Sequence, residues 1–390
     1  MEVVMSLSEL MIGSIEAANS WSVSRSKHVF GDDSPESRVI QRRFKINAAA
    51  SYVGVTRQAI EQAEKLGQLP VADYVDSKGD KPKPIRKGYT LQQIDQMREH
   101  FSKQPRQLLN ISEAIKIAVA GGKGGCFKTS TVVHFAQWLS LKGFRVLITD
   151  IDPQAHASMY FGYHPELNTN INDTILPYML GDEDDLNYCV KNTAWPKLDI
   201  IPSHTQMQRL ERELPDADIE YPAHSMLQAG LETIAHSYDV ILMDGHPDLG
   251  MGTMNMICAS DVTLIATSME VNDINSTSQL MSLIADIYSD NSPLDTTHEP
   301  IVRVLPTKIG PIGSSSQLNV RDIMQMWPGL PLMNGIRVTE EIGKGQRRIS
   351  SIYEQADEQR SSPSAWKRAN DLFELPFSEI LETILKPWWK

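Results

Sequence analysis

The stretch Gly121-Gly122-Lys123-Gly124-Gly125-Cys126-Phe127-Lys128-Thr129-Ser130 decides the fold. It follows the apolar run Lys116–Ala120 and precedes a helix-like stretch, Thr129–Leu141. Strand, glycine-rich turn, lysine, hydroxyl and helix in that order make a phosphate-binding loop. The glycines let backbone N–H groups approach an anion, and the helix N-terminus faces its negative charge. Gly122, Lys123, Gly124, Gly125, Cys126, Phe127, Lys128, Thr129 and Ser130 form the expected nucleotide-binding set. Lys128 is expected to contact the β- and γ-phosphates of ATP, and the Thr129 hydroxyl to ligate Mg²⁺. Phe127 stands where glycine is usual.

Working outward, apolar runs recur at Ile115–Ala120, Val146–Asp150, Leu198–Pro202, Val240–Asp244, Val262–Thr267 and Val302–Thr307, with helical stretches between them. Near-continuous apolar strands alternating with helices predict an α/β fold: a P-loop NTPase whose mostly parallel sheet is flanked by helices. Two strands end in carboxylates. Val146–Asp150 runs into Asp152-Pro153-Gln154, and Val240–Asp244 ends on Asp244. In open α/β sheets that edge is where ligands bind. Asp152 is expected to orient the attacking water and Asp244 to hold Mg²⁺. Asp150 reads as a supporting carboxylate.

Residues 45–106 read as a winged helix-turn-helix unit. A short helix over Ala48–Val53 meets a turn at Gly54, and Thr56 caps a second helix from Arg57 to Leu66. Ile85–Thr90 reads as a wing, and Thr90 caps a helix over Leu91–Phe101. Arg57, Gln58 and Gln62 are expected to face the major groove of DNA, with Arg86 and Lys87 on backbone phosphates. A small helical cap with solvated charges is the competing reading. Residues 1–44 begin with an apolar helix, Val3–Ala18, that carries Leu7, Leu10, Met11 and Ile15 on one face. A polar linker around Gly31–Pro35 follows. Self-association is the expectation for that helix.

The chain is 390 residues long, with a net charge of −12. Residues 1–106 hold 16 Lys/Arg against 13 Asp/Glu, a net of +3, while the remainder holds 21 against 36, a net of −15. A basic leader on an acidic body fits a nucleic-acid-binding head on an enzyme. Three widely separated cysteines argue against a disulfide framework and against a zinc or iron–sulfur site. Without an apolar run near eighteen residues or a signal-peptide pattern, a cytoplasmic protein is expected.

These residues resemble the ParA family of plasmid-partition ATPases. The shared features are Lys-Gly-Gly-Cys-Phe-Lys-Thr-Ser, then Asp152-Pro153-Gln154, then Asp244-x-x-Pro247-x-Leu249-Gly250. The likeness is to the large, helix-turn-helix-bearing SopA group, covers most of residues 40–390, and makes an aromatic residue before Lys128 ordinary. The resemblance implies an ATP- and Mg²⁺-dependent homodimer that coats nonspecific DNA, with higher assemblies on it. It implies slow hydrolysis stimulated by a ParB-like or SopB-like centromere-binding protein, and autorepression at an operator through the head. Lys123 matches the signature lysine of deviant Walker A loops, which would reach the partner subunit's nucleotide. Lys128, Thr129, Asp152 and Asp244 match catalytic positions. Lys344, Arg347 and Arg348, in the stretch Arg337–Arg348, match nonspecific DNA contacts, though Glu340 and Glu341 interrupt the positive field there. His246 after Asp244 departs from the small residues common in relatives.

Two rivals remain. A MinD-like membrane-surface ATPase would use the tail Phe377–Lys390 as an amphipathic helix, but Glu379 and Glu382 oppose an anionic surface. A nucleotide-tuned transcriptional repressor would bind its operator without partner-stimulated turnover.

Overall fold

A computed structural model of the chain describes residues 7–30, 40–76, 84–289, 299–355 and 362–390, together with Pro35, Arg38, Ser292, Leu294 and Arg360. Among these are nine strands: β1 (Asp73–Asp76), β2 (Pro84–Gly88), β3 (Ile115–Ala120), β4 (Val146–Asp150), β5 (Lys191–Asn192), β6 (Leu198–Ile201), β7 (Val240–Asp244), β8 (Val262–Ser268) and β9 (Ile301–Thr307). The last seven form one sheet in the order β5-β6-β4-β7-β3-β8-β9. All its pairings are parallel except that of the short edge strand β5 with β6. The residues of β4, β7 and β8 are buried throughout, as a sheet covered on both faces requires.

The sheet order places the site. β7 is inserted between β3 and β4, with Asp244 opposite Val119 on one side and Asp150 on the other. The phosphate loop leaves β3, and Asp152 follows β4. All of them therefore meet at one C-terminal edge of the sheet.

The helix Lys128–Lys142 runs from the loop through the core, with Phe135 and Trp138 essentially inaccessible. The C-terminal helix Pro363–Ile380 and the turn Leu381–Leu385 pack on it. The Phe377 ring lies 4.8 Å from Phe135 and 5.9 Å from Trp138. Phe377, Ile380, Ile384 and Leu385 are buried, so the tail's apolar stripe is covered by the body. Each such side chain contributes roughly 1.5–3 kcal/mol when fully buried. No helix among the described residues is long and apolar enough to cross a membrane.

His134 in the same helix is buried and stacks on Phe373, ring centroids 4.4 Å apart. Its Nδ1–H donates to the Ser130 carbonyl at 2.7 Å, and its buried Nε2 finds no hydrogen-bond partner among the described residues. Burial pushes the imidazole pKa down to about 4. An unfolded histidine titrates near 6.5, so below that pH the unfolded chain takes up a proton that the folded chain refuses. Stability is expected to fall as pH drops through 6.5, by about 2 kcal/mol between pH 7.5 and pH 5 from this residue. Urea unfolding of His134→Phe at both pH values should show a smaller acid loss than the parent. An equal loss would contradict a neutral buried ring.

The head begins with helices Ile46–Val53 and Arg57–Lys65, joined through Gly54 in the left-handed region. The Thr56 side chain accepts the Ala59 N–H, and Thr90 with Gln93 forms a capping box on the helix Leu91–His100. β1 and β2 pair antiparallel as a ribbon between these elements. Phe44, Val53, Ile60, Tyr89, Ile94 and Met97 belong to one apolar core that continues into the body around Phe135 and Trp138. Buried Arg98 crosses that junction, donating to the Leu141 carbonyl at the end of the loop helix.

The N-terminal helix spans Leu7–Phe30, twelve residues beyond the expected end at Ala18. Val3 to Ser6 and the expected linker, apart from Pro35, lie outside the described residues. Met11 and Ile15 of the expected apolar face are exposed.

Candidate functional site

The loop is shaped by close approaches. A Cβ on Gly122 would lie 2.3 Å from the Ser276 carbonyl oxygen, so only glycine fits against the helix Val271–Ile287. Gly125 and Phe127 both adopt positive φ, +81° and +69°. The first is ordinary for glycine, whereas the second is a strained conformation for an aromatic residue. Phe127 is held by its surroundings: the Lys308 ammonium lies 5.3 Å from its ring centroid. Next to it, Thr307 Oγ1 donates to the Cys126 carbonyl at 2.9 Å. Burial pushes the Cys126 thiol pKa up, which makes it a packing residue within the loop.

Lys128 opens the helix, is buried, and reaches the Lys123 carbonyl at 3.4 Å. Lys123 itself is half exposed, and its ammonium pairs with Asp273 at 2.8 Å. That hydrogen bond is the main reason its pKa is raised. Asp273 is buried and accepts in turn from the Ser268 hydroxyl. In this state the signature lysine is held on its own chain.

Asp150, Asp152 and Asp244 are all buried. They differ in what satisfies them. Asp150 accepts the Ser158 hydroxyl at 2.6 Å, the Ser158 N–H at 2.8 Å and the Asp152 N–H at 3.2 Å. Burial raises its pKa well above the usual range, and Asp244 adds to that. Asp152 accepts the Gln154 N–H at 2.9 Å, and its carbonyl accepts the Ser203 hydroxyl at 2.7 Å. Asp244 completes no side-chain hydrogen bond with either oxygen among the described residues. Burial pushes its pKa to about 7; Asp152 adds to the shift, while Thr129 and Lys128 oppose it.

A fully buried carboxylate with two bare oxygens is rare and costly without a partner. A divalent cation on its oxygens would supply that partner, and Thr129 lies beside it. The residues present therefore fit Mg²⁺, with Thr129 and Asp244 as the protein groups.

A cavity of about 950 Å³ opens over this edge, lined by Gly124, Lys128, Thr129, Asp152, His246 and Lys308 among others. That volume lies within the range of cofactor pockets. His246 Nδ1 lies 3.0 Å from Asp248 in the loop after β7. The structure thus brings together Lys128, Thr129, Asp152 and Asp244, as expected, and adds Asp273 and Lys308. Neither of these sits in a recognisable motif. The only sequence signal was position just after β8 and β9, the two strands that flank β3 on one side.

The expected DNA contacts lie elsewhere. Arg57, Gln58 and Gln62 are exposed on one helix, and Arg57 pairs with Glu61 at 2.8 Å. Lys87 is exposed on β2, whereas Arg86 turns to Glu64 at 2.8 Å and to the Tyr89 hydroxyl. On the body, helix Glu340–Arg347 carries Lys344, which pairs with Glu340 and Glu341 at 3.4 Å each. Arg348 is exposed just beyond it, and Arg347 lines the cavity over the phosphate loop.

A family model described as "AAA domain" matches residues 114–296. The chain is 43% identical over 367 residues to Protein SopA of Escherichia coli strain K12, covering 93% of each chain. Among solved structures it is similar to a partition protein, with a TM-score of 0.64, 17% identity and coverage of 95% and 97% of the two chains. A second likeness is to a putative plasmid partition protein from Borrelia burgdorferi B31 bound to AMPPNP. It has a TM-score of 0.54 and 20% identity, covering 70% of this chain and all of the other. At those identities the two structures support the fold, and the identity to SopA carries the kinship. The chain belongs to the ParA family of deviant Walker A ATPases, in the large type that includes SopA.

Proposed function

We propose that this protein is a DNA-partition ATPase, cytoplasmic and nucleoid-associated, that binds DNA in its ATP state and is released after hydrolysis. The observation that carries the reading is the meeting of Lys128, Thr129, Asp152 and bare, buried Asp244 at one sheet edge. Its kinship with SopA over 93% of the chain supports the same reading. Mg²⁺ held by Thr129 and Asp244 would neutralise phosphate charge during phosphoryl transfer. Lys128 binds the phosphates, and Asp152 orients water from a fixed turn. Lys123 leaves Asp273 to serve the partner subunit's nucleotide, so that ATP and the homodimer favour each other. A ParB-like or SopB-like protein completes a slow site.

Residues 45–106 serve as a winged helix-turn-helix domain between the N-terminal segment 1–44 and the ATPase domain 107–390. Arg57, Gln58 and Gln62 read an operator from the exposed face of their helix. Lys87 contacts phosphate from the wing. Arg86 would have to exchange Glu64 for phosphate, which makes it the weaker contact. Operator binding by the head accounts for autorepression.

Nonspecific binding uses Lys344 and Arg348 on the body. Arg347, at the cavity wall, stands between the nucleotide and that surface. Lys344→Ala is expected to keep ATP binding while weakening ATP-dependent DNA retention several-fold, equally across sequences, and to reduce the salt slope by about 1. Filter binding on unrelated duplexes at several salt concentrations tests this. ATP turnover that ignores both DNA and a centromere-binding partner would argue against the partition reading.

A further inference from the structure

The two halves of the N-terminal helix have different surroundings. Met11, Ile12 and Ile15 are at least half exposed near its start. Past Ser20 one face lies against the body, while Trp21 stays 65% exposed. Ser26 is 3% exposed, and Ser22 Oγ is 2.9 Å from His164 Nε2. The other ring nitrogen sets the direction of that bond. His164 Nδ1 accepts the Glu166 N–H at 3.1 Å, so the proton sits on Nε2 and is donated to Ser22. This anchor fixes the rotation of the helix about its axis.

Trp21 and Arg25, four residues apart, share the face beside Ser22. The Arg25 guanidinium stacks over the Trp21 indole, 4.9 Å from its centroid. Trp21, Ser22 and Arg25 line the same cavity as Lys128, Thr129 and Asp152. A guanidinium attracted to a ring still carries N–H donors, and its planar fork matches the oxygens of a phosphate. Buried Asp152 lines the same cavity, so a polyphosphate gains from an added cation there.

We propose that the helix Leu7–Phe30 is a wall of the nucleotide site and that Arg25 is a nucleotide-binding residue, held in place by Trp21 and the Ser22–His164 bond. The inference rests on the cavity being the ATP site. It gives the N-terminal helix a task within the catalytic body, separate from any self-association through its exposed first half.

The test uses the full-length chain and a fluorescent ATP analogue with Mg²⁺. Arg25→Ala is expected to weaken binding about tenfold, the loss of one charge-assisted hydrogen-bonded contact. Arg25→Lys should recover part of it. Trp21 should report the ligand directly, so ATP should change the intrinsic emission of the parent and not that of Trp21→Phe. This second readout does not depend on the Arg25 variants folding. Arg25→Ala binding within twofold of the parent, or an emission change that survives in Trp21→Phe, overturns the proposal. Normal ATP binding by Lys128→Ala would instead overturn the nucleotide-site reading on which it rests.

Discussion

Lys128→Ala is expected to lose ATP binding by about 100- to 1,000-fold, and with it all ATP-dependent retention on DNA. The side chain is buried at the start of the loop helix, and its own fold gives it one weak acceptor, the Lys123 carbonyl at 3.4 Å. Its charge is therefore available for phosphate in a site screened from water. A charge-assisted hydrogen bond is worth about 1.5–3 kcal/mol, and two phosphates share this ammonium, so a loss near 3–4 kcal/mol is expected. The fold should tolerate the change, because the truncated side chain lines an open cavity. Isothermal titration with ATP and Mg²⁺, alongside DNA co-sedimentation, reads both effects. Wild-type DNA retention by this variant would refute the assigned mechanism. Lys123→Ala offers a contrast: its ammonium is already satisfied by Asp273 at 2.8 Å on the same chain, so single-site binding should largely persist while hydrolysis fails.

Glu354→Ala is expected to cost about 3–5 kcal/mol of stability. Glu354 is buried and accepts four contacts from three separate segments: Arg38 at 3.0 and 3.4 Å, Trp195 Nε1 at 2.8 Å and Gln137 at 3.3 Å. Truncation leaves the indole N–H and the Gln137 amide without this acceptor inside the protein, and Arg38 without its carboxylate. An uncompensated buried polar group costs more than the original bond contributed. Urea unfolding should show a lower midpoint with little change in slope. Glu354→Gln should fall between the two, because it keeps acceptors but loses the charge facing Arg38. A midpoint unchanged in Glu354→Ala would show that the network holds nothing together.

The rest of the comparison with expectation follows the same division between near and distant contacts. The expected helix Val3–Ala18 stopped where apolar periodicity faded, yet the helix runs to Phe30. What sustains its second half is the body, through the Ser22–His164 bond and buried Ser26, and periodicity along one segment carries no record of such a neighbour. Arg86 looked like a wing cation from its neighbours in sequence. Glu64, on the helix Arg57–Lys65, turns it inward.

The phosphate loop itself was legible because its chemistry is local: strand, glycines, lysine, hydroxyl and helix occupy consecutive positions. The strands ending in Asp150 and Asp244 were legible for a similar reason, since burial on both faces writes an unbroken apolar run. Sheet order belongs to the tertiary structure. Only there does β7 slip between β3 and β4, which sets Asp244 beside the loop and leaves both its oxygens bare for a cation. Only there does Asp273, some 150 residues downstream, take the ammonium of Lys123. The physical reason is common to both. Backbone geometry and burial period are properties of neighbouring residues, whereas the partners of a buried charge are chosen by chain segments that packing brings together.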